Sequence, residues 1–332
     1  SIFVSTIYFN PIPSWYFGNI IFLVLTLKNI KRMILYPILY FLSIIWFLSH
    51  HFRIRLGRNE KMPVPVVCVG NITLGGAGKT PTVIFLAQYL NKNNINAHVV
   101  SRGYKGNFKD TVLVNRGAQS AYEVGDEPLL ISQHAKVWVS KRKKEGILAA
   151  HEAGAELVIL DDGYQNFSIA KDVSVLVFDA EVNIKNEKIF PLGNLRESFQ
   201  SAIDRANFSV CIGSSVSRKK FKKTFLQDHN TNIIEGEFNP KLIPILKKRK
   251  LVAFCGIGRP EKFFSMLKNH DLKIIKEYSF PDHHFYSNRQ LTKISDIAEK
   301  NNALVVTTEK DFVKIPVTFK KNIYPIDIEL HL

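Results

Sequence analysis

The chain has 332 residues, enough for two domains with a sizeable core, and 46% of them are apolar, which argues against extended disorder. Lys and Arg number 45 against 29 Asp and Glu; the resulting +16 points to a polyanionic partner, either nucleic acid, an anionic membrane or a phosphorylated substrate. Cys68, Cys211 and Cys255 lie in apolar, strand-like runs without CxxC spacing, so neither a disulfide framework nor a zinc site is supported and buried free thiols are expected.

Residues 15–27 are almost all apolar, Lys28, Lys31 and Arg32 interrupt them, and residues 33–49 form a second apolar run broken by Pro37. Each run is shorter than the roughly 20 residues that span a bilayer comfortably. Each is also too apolar for an exposed helix of a soluble protein. Arg53, Arg55 and Arg58 follow as a basic collar. The pattern predicts a helix inserted into an anionic leaflet, with the collar and the next domain on the cytoplasmic side. A helix packed on the main domain is the alternative. No small-residue cleavage site follows Ser49, which argues against a cleaved signal peptide. Residues 1–32 are read as an extension upstream of Met33, and residues 33–60 as the membrane-associated helix and its collar.

Residues 64–69 are a β-branched apolar run that enters Gly70-Asn71-Ile72-Thr73-Leu74-Gly75-Gly76-Ala77-Gly78-Lys79-Thr80, and a helix-compatible run follows. This is the strand, loop, helix order of a phosphate-binding P-loop. Glycines let backbone N–H groups converge on phosphate oxygens, the new helix offers its first amides, and Lys79 adds a point charge. Residues 73–80 are therefore the candidate nucleotide cradle, with Thr80 placed to ligate Mg²⁺. The usual pattern has Gly where Thr73 stands.

From there strands and helices alternate. Residues 97–100, 136–139, 157–160 and 173–178 read as strands without polar alternation, the mark of a parallel sheet covered on both faces. Ligands gather at the carboxyl ends of such strands, where Gly70, Ser101, Asp161 and Asp179 fall. A boundary is expected near residue 200, dividing a P-loop lobe (61–200) from a smaller α/β lobe (201–332) that holds strands near 208–213, 251–256, 274–280 and 304–308. Lys/Arg runs at 218–223 and 247–250 read as solvated helix faces.

Asp161 and Asp162 cap an apolar strand, the place of a Mg²⁺-holding Asp in P-loop proteins, and Gln165 could orient a water or a hydroxyl. Asp126 and Glu127 stand at a turn before a helix. His283 and His284 follow Asp282; in an extended segment adjacent histidines point opposite ways, so at most one faces a shared site. Arg196 could clamp phosphate or pair with Glu197.

In order, Ser101-Arg102-Gly103-Tyr104, Gly125-Asp126-Glu127-Pro128, Leu160-Asp161-Asp162-Gly163-Tyr164-Gln165, Pro191-Leu192-Gly193-Asn194-Leu195-Arg196-Glu197, Asp282-His283-His284 and Thr307-Thr308-Glu309-Lys310-Asp311 join the P-loop stretch. Together they resemble the tetraacyldisaccharide 4'-kinase (lipid A 4'-kinase) family over about residues 33–330, including its displaced P-loop glycines. The resemblance implies two α/β/α lobes joined by a short β linker, behind a membrane-associated helix at the cytoplasmic face of the bacterial inner membrane. It implies ATP- and Mg²⁺-dependent phosphorylation of the 4'-hydroxyl of an acylated glucosamine disaccharide 1-phosphate. On that basis Lys79 contacts the β/γ phosphates, Asp126 is the general base and His283 tunes it. Thr80, Glu127 and Asp161 hold the metal, Asp162 and Gln165 support them, and Arg196 binds phosphate.

The second reading is a membrane-associated P-loop GTPase. Its guanine-reading element would be Thr308-Glu309-Lys310-Asp311, which puts Glu where Lys is needed. A nucleic-acid partner is not expected, because no interleaved aromatic-basic stripe or zinc module occurs.

Overall fold

The computed structural model describes residues 14–332 apart from 183, 185–187, 228, 230, 242 and 243, with side chains from residue 35 onward; residues 1–13 of the expected extension lie outside this set. Its strands are β1 (Val66–Gly70), β2 (Ala97–Ser101), β3 (Val112–Leu113), β4 (Lys136–Val139), β5 (Leu157–Asp161) and β6 (Val173–Asp179). They continue with β7 (Phe208–Ile212), β8 (Asn232–Lys241), β9 (Lys250–Cys255), β10 (Lys273–Ser279), β11 (Ala303–Thr308) and β12 (Ile323–His331). They form one 12-stranded sheet in the order β10-β9-β11-β12-β8-β7-β6-β1-β5-β2-β4-β3. Among the described residues only the β3–β4 and β8–β12 strand pairs are antiparallel. The unbroken apolar strands are buried on both faces, as their composition predicts: Val66, Cys68, Val158 and Leu160 face one core, and Val69, Val99, Ile159 and Val210 the other.

Two strands change partner halfway and so join the lobes. Residues 232–236 of β8 pair with β7, and residues 237–241 pair with the end of β12. The first half of β12 pairs instead with β11. A separate core around Leu251, Ala253, Phe263 and Val306 supports the second lobe. Strand β7 lies beside β6 on the P-loop sheet, past the boundary expected near residue 200. We place the division within β8, where the hydrogen-bonding partner changes. The three cysteines are buried and free.

The N-terminal segment is one helix, α1 (Ser14–Leu56), which runs on through Pro37. Of its described part, Leu35–Leu56 has mean hydropathy 1.3 and is 11% buried. Its polarity is inverted. The positions turned toward the protein are Leu39, Ser43, Trp46, His50 and Ile54, and three of these carry hydrogen-bonding groups. Leu35, Ile38, Phe41, Ile45, Leu48 and Phe52 face outward. A continuous exposed apolar face of this kind marks a contact with a membrane or another apolar surface.

Candidate active site

The glycine turn leaves β1 and ends in helix α2 (Lys79–Lys92). Gly75 and Gly78 have φ of +103° and +91°, values that favour glycine. A Cβ on Gly78 would also come 2.8 Å from Ile212 Cδ1. A Cβ on Gly75 or Gly76 would meet nothing within 4 Å, so the turn is open on that side. Lys79 Nζ donates to Asn71 Oδ1 at 3.0 Å and lies 3.7 Å from Asp162 Oδ1. The 194–196 segment is stitched alongside: Leu74 N–H donates to Asn194 O at 2.8 Å and Arg196 N–H to Ile72 O at 2.7 Å.

Strand β5 delivers the acidic pair. Asp161 is buried and accepts from Ser101 Oγ at 2.9 Å through Oδ2, while its Oδ1 has no partner. Burial, reinforced by repulsion from Glu127, pushes its pKa up to about 6. Asp162 has φ +50°, and both its oxygens accept from Arg196 Nη1, at 2.9 and 3.0 Å. Burial would raise the Asp162 carboxyl, but Lys79 and Arg196 outweigh it and hold the pKa below the usual range. Of the two sequence alternatives for Arg196, the pairing with Glu197 is not formed: its side-chain ion pair is with Asp162. Glu197 bonds instead to Gln165, Arg205 and His50.

Asp126 opens the helix Asp126–Ile131 in the first lobe and is 4% exposed. His283, from the second lobe, bonds it through Nδ1 at 2.8 Å to Oδ2. Lys314 Nζ stands 3.7 Å from the same oxygen. Burial raises the Asp126 pKa, but the His283 hydrogen bond, Lys310 and Lys314 outweigh it, and the carboxyl is held below its usual range. Lys310 also donates to Glu127 Oε1 at 3.1 Å. Burial would lower this lysine's pKa, yet Glu127, Asp126 and Asp282 together raise it. His284 turns away, bonding Gln290 at 3.1 Å and stacking on Phe280. A second bridge between the lobes joins Asp179, at the end of β6, to Arg259 and Lys262, the latter at 2.7 Å.

Both lobes line one cleft of about 1640 Å³ that contains Lys79, Glu127, Asp161, Asp162, Arg196 and His283. Residues 74–80 of the expected nucleotide cradle border it as well; Thr73 lies just behind, bridged to Leu195. Asp126 sits under His283. Sequence reasoning gave no role to Asn71, His50, Lys314 or Lys310. Lys310 at least stands inside a motif that it singled out.

A cation here can be judged from the donors present. Among the described residues no three His, Cys, Asp or Glu side chains cluster as a ready-made metal site. Mg²⁺ needs less: one or two carboxylates with a hydroxyl, waters and phosphate oxygens. The unpartnered buried Oδ1 of Asp161, the Glu127 charge near it and the Thr80 hydroxyl in the same cleft fit that demand.

Phosphoryl transfer asks for positioned charge more than for an enzyme nucleophile, and positioned charge is what this cleft offers; the class is that of a two-lobed P-loop phosphotransferase. A profile of the family described as tetraacyldisaccharide-1-P 4'-kinase matches residues 32–332. The tetraacyldisaccharide 4'-kinase of Gluconobacter oxydans is 39% identical over 270 residues, covering 80% of this chain and 81% of its own. That of Rhodospirillum centenum is 35% identical over 290 residues, covering 87% and 85%. Among solved structures, LpxK from Aquifex aeolicus, in complex with ATP, superposes with a TM-score of 0.70 at 29% identity, covering 90% of this chain and 94% of that one. The chain belongs to the tetraacyldisaccharide-1-P 4'-kinase family. It is a kinase of lipid A biosynthesis acting at the 4'-position of the acylated disaccharide 1-phosphate, and the GTPase reading is set aside.

Proposed function

We propose that the interlobe cleft binds ATP along residues 73–80 and presents its terminal phosphoryl group to the sugar 4'-hydroxyl, whose proton passes to Asp126. The observation that carries this reading is the His283–Asp126 contact across the lobes, in a cleft shared with Lys79 and Asp161. Lys79 and the glycine amides hold the phosphates. Arg196 neutralises Asp162 and offers positive charge beside the transferred group. His283 fixes the Asp126 carboxylate and keeps it ionised, and Lys310 balances Glu127. Thr80, Glu127 and Asp161 would hold Mg²⁺, which when bound draws charge off the phosphate oxygens. A weakly basic carboxylate suffices because the transition state is loose and orientation dominates.

The outward apolar face of α1 and its basic collar support a seat on the anionic cytoplasmic face of the inner membrane, where the acylated substrate resides. Flotation with anionic vesicles tests the seat. The chemistry is tested with purified full chain, labelled ATP, Mg²⁺ and the lipid disaccharide. Asp126→Asn should lower kcat by roughly 100- to 10,000-fold while ATP still binds. Unchanged turnover would remove Asp126 from the base role.

A further inference from the structure

We propose that His50, on helix α1, is a positioning residue for the nucleotide. It steadies Lys79 from outside the P-loop, so that seating of α1 on the lobe and nucleotide binding strengthen one another. This rests on the kinase reading of the cleft.

Helix α1 grips the segment that borders the P-loop. Ser43 Oγ donates to Ile189 O at 3.0 Å and accepts from Leu192 N–H at 3.1 Å. Trp46 Nε1–H donates to Arg196 O at 2.9 Å. That segment is itself bonded to the P-loop at Ile72 and Leu74. A second line runs through side chains. His50 Nε2–H donates to Glu197 Oε2 at 3.2 Å. Gln165 Nε2 donates both to Glu197 Oε1 and to Asn71 O, each at 3.0 Å. Asn71 Oδ1 then accepts from Lys79 Nζ at 3.0 Å.

His50 is 2% exposed and Glu197 1%, so no solvent stands ready to replace a lost bond. In a buried network of this kind the members hold one another in place, and deleting one loosens the rest. The lipid-facing side of α1 is the opposite one, so His50 contributes no surface to acyl chains. Two sites linked through one such element affect each other's affinity by the same factor.

The test separates positioning from anchoring. Full-length His50→Ala, His50→Gln and Trp46→Phe proteins in detergent micelles are titrated with a fluorescent non-hydrolysable ATP analogue, and KM is measured separately for ATP and for the lipid disaccharide. His50→Ala should weaken analogue binding and raise KM for ATP by roughly 5- to 20-fold, with KM for the lipid changed by less than about twofold. His50→Gln, which keeps a donor, should recover most of the loss. Trp46→Phe, which keeps the ring and loses the N–H, should fall between. Should His50→Ala fail to fold, Trp46→Phe decides. Analogue affinity within about twofold of wild type in His50→Ala, or in Trp46→Phe where His50→Ala does not fold, or an effect confined to the lipid KM, overturns the proposal. Wild-type protein that binds the analogue but leaves the lipid unlabelled would count against the kinase reading and not against this coupling.

Discussion

His283 and Asp126 belong to different lobes, and their side chains meet at 2.8 Å. The contact sets the state of the carboxylate as well as its position. Burial alone would raise the Asp126 pKa, and the histidine hydrogen bond is the largest opposing effect. The deprotonated form is the one able to take a proton, and its pKa lies below the ordinary carboxylate range of about 4. Asp126 therefore does not limit the wild-type rate above about pH 5. In His283→Ala burial is less opposed, and the acidic limb of kcat/KM moves to higher pH along with a fall in kcat. A limb that stays in place while kcat falls would separate His283 from control of Asp126.

Asp161 carries the opposite shift, to about 6, because it is buried near Glu127. A cation binds only the ionised carboxylate, so binding releases a proton. The Mg²⁺ concentration giving half-maximal activity should rise as pH drops below about 6, by up to tenfold per unit. Asp161→Asn should remove that slope and weaken Mg²⁺ dependence, as read by Mg²⁺ titrations at about pH 5 and about pH 7.5. A variant with the wild-type titration at both values would take Asp161 out of the metal shell.

The legible parts of this site were local ones. The glycine turn, Lys79 and Thr80 declare themselves in one continuous stretch, and Asp161 and Asp162 declare themselves by ending a fully apolar strand. What could not be read was set by distance along the chain. Arg196 was weighed against its neighbour Glu197, yet it meets Asp162, and Glu197 meets His50 from α1. A polar residue inside an apolar run has no visible partner until the helix is docked. Strand β7 has a clear apolar pattern, but a pattern does not say which sheet a strand joins.

Lys314 shows how much such unseen partners weigh. Its ammonium and the Asp311 carboxylate are both inaccessible and 2.9 Å apart, an ion pair rather than a well-directed hydrogen bond. Asp311 in turn accepts from Tyr286 Oη at 2.8 Å, Gly256 N–H at 2.9 Å and Thr308 Oγ1 at 2.6 Å. Lys314→Met keeps much of the volume and leaves the carboxylate without its cation. The expected cost is roughly 3–5 kcal/mol of stability, measured by denaturant unfolding. A loss below about 1 kcal/mol would mean that the hydrogen bonds to Asp311 hold its charge unaided.

Glu309 begins the helix Glu309–Phe312 after β11, and Asp327 lies where β12 passes from β11 to β8, at the joint between lobes. Burial, then the charge of Asp327 and a hydrogen bond to it, push the Glu309 pKa up from 4.5 to about 8. Across that window the folded chain holds a proton that the unfolded chain has released. Stability from this group is therefore complete below about pH 4.5 and declines as pH rises toward about 8. Glu309→Gln keeps a donor for Asp327 and cannot ionise. Its melting temperature should fall less steeply between about pH 5 and about pH 8.5 than that of the wild type, and should be the higher of the two at the alkaline end. Because the pair sits where β12 changes partner, ionising it also loosens the strand that ties the lobes together. The wild-type rate should then decline at alkaline pH more than that of the Gln variant, and parallel melting curves for the two proteins would count against a shared proton at this joint.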